Sequence, residues 1–308
     1  MLFPRLVVVI ASILLESIFT QSLAAPVTAT GVEIRSTGNT TQELARNAAT
    51  VSKRIVLWDW TLTQQVNAYP GIQSSASSLA NSPVAKTVIN WETWRPTELP
   101  PALRFQPTVR TRDYLSGDNW KNIQNVVNGG RVTVHFYNEP ERASPSITAA
   151  QAAADWRTSM IPLRQQHGAK LVSPACASDA AGTAWMNDFM GRLSAAEKPD
   201  LVGLHYYSNQ GSNAADSINA AKTYLKNRHK KFGLPVVVRE IASTSRDYGV
   251  VKAFTMQMSA WMDGQGFVSS YGFFGCSLVP KDGFVSPQAQ LMTTDGHWNE
   301  LGHFMFGV

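Results

Sequence analysis

Several common routes to a stable or active protein are missing from this sequence. It holds two cysteines in 308 residues, so no disulfide framework supports it. Only 16% of residues are charged, 27 Lys and Arg against 22 Asp and Glu. No basic stripe or long charge run offers a nucleic-acid surface, and no nucleic-acid partner is expected. No stretch reaches the roughly 18 apolar residues of a transmembrane helix. The six histidines, at 135, 167, 205, 229, 297 and 303, are scattered. Without a His-Glu-x-x-His or paired-Cys pattern, neither a metal nor a cofactor is expected. A Gly-x-Ser-x-Gly elbow is absent, which removes the anchor of a serine hydrolase. No Gly-rich phosphate turn follows the first strand, which argues against a doubly wound nucleotide-binding sheet.

What remains is a hydrophobic, aromatic chain. At 44% hydrophobic with nine tryptophans, it can bury a large core without crosslinks. Residues 1–25 read as a secretory signal. Arg5 precedes the apolar stretch Leu6 to Leu15, too short to span a bilayer, and Ser22-Leu23-Ala24-Ala25 offers small residues for cleavage. Residues 26–53 are rich in Thr, Ser, Ala and Asn and read as a flexible leader. The leader carries the N-glycosylation sequon at Asn39 and ends at the dibasic Lys53-Arg54, a candidate processing site. The expected product is secreted, extracellular or wall-associated, monomeric, and free of the membrane once the signal is removed. Cys176 and Cys276 would then meet an oxidising compartment, either as a disulfide or as two separate thiols.

From Arg54 onward, short Val-, Ile- and aromatic-rich runs alternate with helical segments. About eight strands are legible, Leu103 to Val109 being demoted by Pro107. Several runs are continuously apolar, as expected of parallel strands covered on both faces. The helices include Ala149 to His167, with Ala152, Trp156, Met160 and Leu163 on one face and Gly168 as its stop. The alternation predicts a single (β/α)8 TIM barrel over 54–308.

Such barrels act at the C-terminal ends of their strands. Two strands end in glutamate: Val132 to Pro140, which contains Asn138-Glu139-Pro140, and Pro235 to Glu240. They count as strands four and seven, with Glu139 and Glu240 101 residues apart, about three β/α units. Two convergent carboxylates, one protonated and one ionised, are what glycoside hydrolysis requires. Burial and its neighbour's charge should raise Glu139 above the usual carboxylate range while Glu240 stays ionised. Strand alternation should send Arg239 to the other face, and put His205 and Tyr207 on a shared face where they can position sugar and nucleophile. Trp58 and Trp60 share a face at the end of strand one, and Trp91 and Trp94 lie after strand two; of these clusters Trp58, Trp60 and Trp94 are the candidate stacking platforms for the apolar face of a sugar.

Taken in order, the motifs Phe136-Tyr137-Asn138-Glu139-Pro140, Leu171 to Ala175, Trp185 to Met190, His205-Tyr206-Tyr207, Pro235 to Glu240 and the tail Leu291 to Gly302 resemble glycoside hydrolase family 128. The resemblance runs from about Ile55 to the C-terminus. It implies a clan A (β/α)8 barrel and a β-1,3-glucanase of retaining mechanism, endo or exo. Glu139 would be the acid/base, Glu240 the nucleophile, and Asn138 a partner of the sugar hydroxyl beside the reacting carbon. It also implies Tyr271 and Phe273 as contacts on strand eight, where Tyr271-Gly272-Phe273-Phe274 departs from the family's usual Tyr-Ala-Trp-Phe. That departure keeps open an alternative, a barrel that binds β-glucan at a cell wall without cleaving it.

Overall fold

The structure is a computed structural model and describes residues 52–280 and 283–308. The signal segment, Asn39 and all but the last two residues of the leader lie outside the described residues. Lys53 lies within the fold: its Nζ donates to the carbonyls of Asp263 (3.1 Å) and Gln265 (2.6 Å) at the end of a helix.

Eight parallel strands form the ring. They are β1 (Arg54–Leu57), β2 (Ala85–Ile89), β3 in two pieces (Arg104–Phe105 and Thr108–Val109), β4 (Thr133–Phe136), β5 (Lys170–Val172), β6 (Val202–Tyr207), β7 (Val236–Ala242) and β8 (Val268–Phe273). One continuous sheet runs from the first piece of β3 through β2, β1, β8 and β7 to β6, and a second runs from the second piece of β3 through β4 to β5. The break in β3 is Pro107, which has no N–H to give; its carbonyl still accepts from His135 N at 2.9 Å. The other seam is bridged by Val172 and Leu201, with Ser173 N donating to Leu201 O at 2.9 Å.

Alternation along the strands divides the core in two. Ile55, Leu57, Ile89, Val172, Leu201 and Val237 pack inside the ring. Val56, Trp58, Val88, Val134, Leu204, Val238, Tyr271 and Phe273 face the outer layer. That layer comprises α1 (Trp60–Gln65), α2 (Pro70–Ser78), α3 (Gly117–Asn128), α4 (149–167), α5 (Ala180–Gly191), α6 (Ala214–Phe232), α7 (Tyr248–Asp263) and α8 (Glu300–Phe306). In α4 a π-helical turn, Trp156–Met160, precedes Pro162 and absorbs the donor that proline lacks. Gly168 closes α4 in the left-handed conformation, φ 67°.

The two cysteines are not bonded. Cys176 follows β5 and Cys276 follows β8, three strands round the ring, and each is a buried free thiol.

Candidate active site

Two non-glycine residues among those described adopt positive φ, Trp91 at 61° and Glu139 at 42°. Left-handed backbone costs a non-glycine residue about 1–2 kcal/mol, and such strain collects at functional sites. Both lie directly beyond strand ends, and both line one cleft of about 670 Å³ at the C-terminal mouth of the barrel.

Glu139 is held by its backbone: its N–H donates to Ala175 O at 2.8 Å, and its carbonyl accepts from Arg142 N at 2.9 Å. Its carboxylate meets His205, whose Nδ1 lies 2.9 Å from Oε1. The other ring nitrogen of His205 lies 3.5 Å from Glu240 Oε1, so one fully buried imidazole stands between the two carboxylates. Glu240 accepts from Trp91 Nε1 at 2.7 Å through Oε1 and from Tyr207 Oη at 2.7 Å through Oε2. Ligand atoms of Glu139, His205 and Glu240 all lie within 4.8 Å of one another. That spacing could also clasp a cation, but the two donors aimed at Glu240 suit a bare carboxylate ready to attack carbon.

Glu139 does not titrate as its position in the sequence suggests. Burial pushes its carboxyl up, but the hydrogen bond and charge of His205, together with the Arg142 cation, outweigh this and hold it below the usual carboxylate range. The expectation of a raised Glu139 is therefore corrected for the ligand-free protein.

Arg239 also departs from expectation. The β6–β7 register slips one residue between Leu204 and His205, so His205 faces Glu240 and Arg239 is the extra residue of a bulge. Arg239 accordingly turns inward, and its Nη1 crosses the barrel to donate to the carbonyls of Phe136 (2.8 Å) and Tyr137 (3.1 Å). With the guanidinium out of water, its pKa falls to about 10, although Glu240, Cys176 and Glu139 all favour its charge. It places a buried cation beneath two carboxylates.

Asn138, Tyr207 and Trp60 line the cleft, and Asn138 Oδ1 is buried without a partner. Four aromatic expectations are corrected. Trp58 is fully buried in the outer core, its Nε1 donating to Glu98 Oε1 at 2.7 Å, because Asp59 caps α1 and ends the alternation that would have paired Trp58 with Trp60. Tyr271 and Phe273 point outward to α7, and Tyr271 Oη donates to Asp263 Oδ1 at 2.7 Å. Their inward neighbours are Gly272, whose missing Cβ leaves room for Leu57, and Phe274, which lines the cleft. Trp94 is half-buried and does not line the cleft; the left-handed turn at Trp91 delivers that indole instead. Trp60 and Phe274 pack edge-on against Trp91, with centroids 6.3 and 5.6 Å away.

Further cleft residues come from loops and carry no periodic signal. Arg110 lies over Trp60, 4.9 Å from the ring centroid, and pairs with Glu92 at 3.1 Å. Phe284, 56% exposed, stands edge-on to Tyr207 at 5.3 Å. Arg142 and Asp179 form the rim beside Glu139.

A family model described as glycosyl hydrolase catalytic core matches residues 67–305. A GH128 (subgroup VI) exo-β-1,3-glucanase from Aureobasidium namibiae is similar at 38% identity and a TM-score of 0.74, over 83% of this chain and 96% of that chain. A GH128 (subgroup IV) endo-β-1,3-glucanase from Lentinula edodes shares 22% identity at a TM-score of 0.64, over 83% and 100% of the two chains. A GH128 (subgroup I) endo-β-1,3-glucanase from Amycolatopsis mediterranei, solved with laminarihexaose, shares 21% at 0.64, over 83% and 99%. The last two speak for the fold alone. A comparison with curated protein sequences returns no match. With the family model covering residues 67–305 and a GH128 enzyme 38% identical over most of both chains, this chain belongs to glycoside hydrolase family 128.

Proposed function

We propose that this chain hydrolyses β-1,3-glucan by double displacement, with Glu240 as nucleophile and Glu139 as acid and then base. The observation that carries the reading is the pair of carboxylates within 4.8 Å of each other across His205. Retaining enzymes hold their carboxyl groups at about 5–5.5 Å, whereas inverting ones need roughly 6.5–9.5 Å to admit a water. The substrate class rests on the 38%-identical relative, named an exo-β-1,3-glucanase.

In the first step Glu240 attacks the anomeric carbon while Glu139 gives its proton to the departing glycosidic oxygen. Glu139 is ionised more readily than an ordinary carboxyl in the free protein, so bound glucan must help it hold a proton. Displacing water from the cleft acts in that direction, since desolvation disfavours the charged form. In the second step Glu139 takes a proton from water, which attacks the glycosyl ester and frees Glu240. Asn138 lines the cleft next to Glu139 in the chain, and its side-chain amide is the candidate partner of the hydroxyl beside the reacting carbon. Trp60, Trp91 and Phe274 offer apolar faces for the sugar on the Glu240 side.

A reducing-sugar assay on linear β-1,3-glucan, with Glu139→Gln and Glu240→Gln as controls, tests this. Turnover in the wild type and its loss in both variants is the expected result. Unchanged turnover in both variants would overturn the site, and wild-type binding without turnover would favour a glucan-binding barrel. We also propose secretion, supported by the signal-like residues 1–25; N-terminal sequencing of protein recovered from culture medium should begin near Pro26.

A further inference from the structure

The cleft changes character across the two carboxylates. On the Glu240 side it is mainly aromatic, with Trp91 donating to Glu240, Trp60 and Phe274 packed on Trp91, and Arg110 over Trp60. Beyond Glu139 it is charged, walled by Arg142 after β4 and Asp179 after β5, whose Nη2 and Oδ2 lie 2.6 Å apart. A general acid must stand beside the oxygen it protonates. The sugar on the leaving side of the scissile bond therefore lies on the side where Arg142 and Asp179 are.

We propose that Arg142 and Asp179 together form the binding site for that leaving sugar, and hence for an acceptor sugar that can replace water in the second step. The proposal rests on the double-displacement reading above. The pair is built as a rigid hydroxyl clamp. Asp179 is fixed twice, through Oδ1 as the cap of α5, accepting from Gly182 N at 2.8 Å, and through Oδ2 by Arg142. The two loops are tied together where Glu141 Oε1 accepts from Ala177 N at 2.7 Å. Gly182 lets α5 approach this closely, because a Cβ there would collide with Ala177 O. Both charged side chains are nonetheless about half exposed, at 55% and 47%, so they remain open to a ligand. A guanidinium donor beside a carboxylate acceptor matches two adjacent hydroxyls of a neutral hexose, one accepting and the other donating. Exposed ion pairs contribute about 0–1 kcal/mol to stability, so stability gives little reason for a charged pair here.

In the transfer step an acceptor hydroxyl gives its proton to the Glu139 carboxylate. Its oxygen bonds to the anomeric carbon as the ester bond to Glu240 breaks, and Glu240 leaves with the electron pair.

The test is partitioning of one intermediate. A 2,4-dinitrophenyl β-1,3-glucobioside loads the enzyme, and free β-1,3-glucobiose competes with water for the glycosyl group. Transfer and hydrolysis are read from the same reaction, so their ratio is independent of how much variant is folded. The ratio should fall at least about tenfold in Arg142→Ala and in Asp179→Asn, the lower end of the loss expected for a hydrogen bond to a charged group. Asn still caps a helix well, so Asp179→Asn reports the clamp even where Arg142→Ala folds poorly. A ratio within about twofold of wild type in Asp179→Asn would overturn the proposal. If wild type releases dinitrophenol with α-anomer formed first, the double-displacement reading itself fails and the acceptor site with it; if β-anomer forms first but no transfer product appears, the acceptor site alone fails.

Discussion

Tyr207→Phe removes one oxygen and separates the two halves of the reaction. The ring is retained, and with it the edge contacts to Phe274 and Phe284; what is lost is the 2.7 Å hydrogen bond to Glu240 Oε2. A hydrogen bond to a full charge is worth about 1.5–3 kcal/mol. In the proposed double displacement Glu240 begins as a carboxylate, is neutral in the glycosyl ester, and is roughly half charged in each transition state. Release of the ester regains charge, so the variant should lose about half of that energy there, roughly 0.8–1.5 kcal/mol, or about four- to twelvefold in rate. Attack on the substrate spends charge, so the first step should not slow by this route. With a dinitrophenyl glycoside, whose departure needs no acid, stopped-flow should show a burst of phenol followed by a steady rate four- to twelvefold below wild type. The ratio kcat/KM should not fall, and by the same half-charge argument it should rise by up to about four- to twelvefold where the first step limits it. An equal fall in kcat and kcat/KM without a burst would refute the reasoning, because the hydroxyl would then be holding geometry rather than charge.

Three further outcomes follow from the structure. Because Glu139 is depressed below the usual carboxylate range and, as the proposed general acid, has to carry a proton, kcat/KM on glucan should be greatest in acid and fall as pH rises through its pKa. His205→Phe removes the larger lowering influence and leaves burial opposed by Arg142, so that limb should move to higher pH; a limb that stays or moves down contradicts the assignment. Gly182→Ala should cost about 1–3 kcal/mol in urea unfolding, since the new Cβ meets backbone rather than a flexible side chain. Ellman titration should find no reactive thiol in native protein and two in denaturant, whereas none in denaturant would mean that Cys176 and Cys276 are bonded.

The parts legible in the sequence are those governed by strand periodicity. Glu139 and Glu240 stand at strand ends after apolar runs, and His205 and Tyr207 share a face because they are two apart on a regular strand. Alternation failed where the strand is irregular or the starting face was misjudged. The bulge at Arg239 turns two successive side chains inward, and no composition signal marks it. On β8 the inward face was readable from Gly272, a small residue where Leu57 crosses, which would have selected Phe274 over Tyr271 and Phe273. Trp91 reaches Glu240 through a left-handed turn, which periodicity cannot foresee in a tryptophan. Arg110, Arg142, Asp179 and Phe284 stand on loops whose convergence depends on barrel closure, and only the folded chain brings them together.

The central claim is that Glu240 becomes covalently attached to the sugar. A 2-deoxy-2-fluoro β-glucoside bearing a dinitrophenyl leaving group slows both steps but the second more, and should leave one adduct per chain. Peptide mass mapping is predicted to place it on Glu240, with β-anomer formed first from unmodified substrate. An adduct on Glu139, or α-anomer formed first with no adduct, would contradict the account.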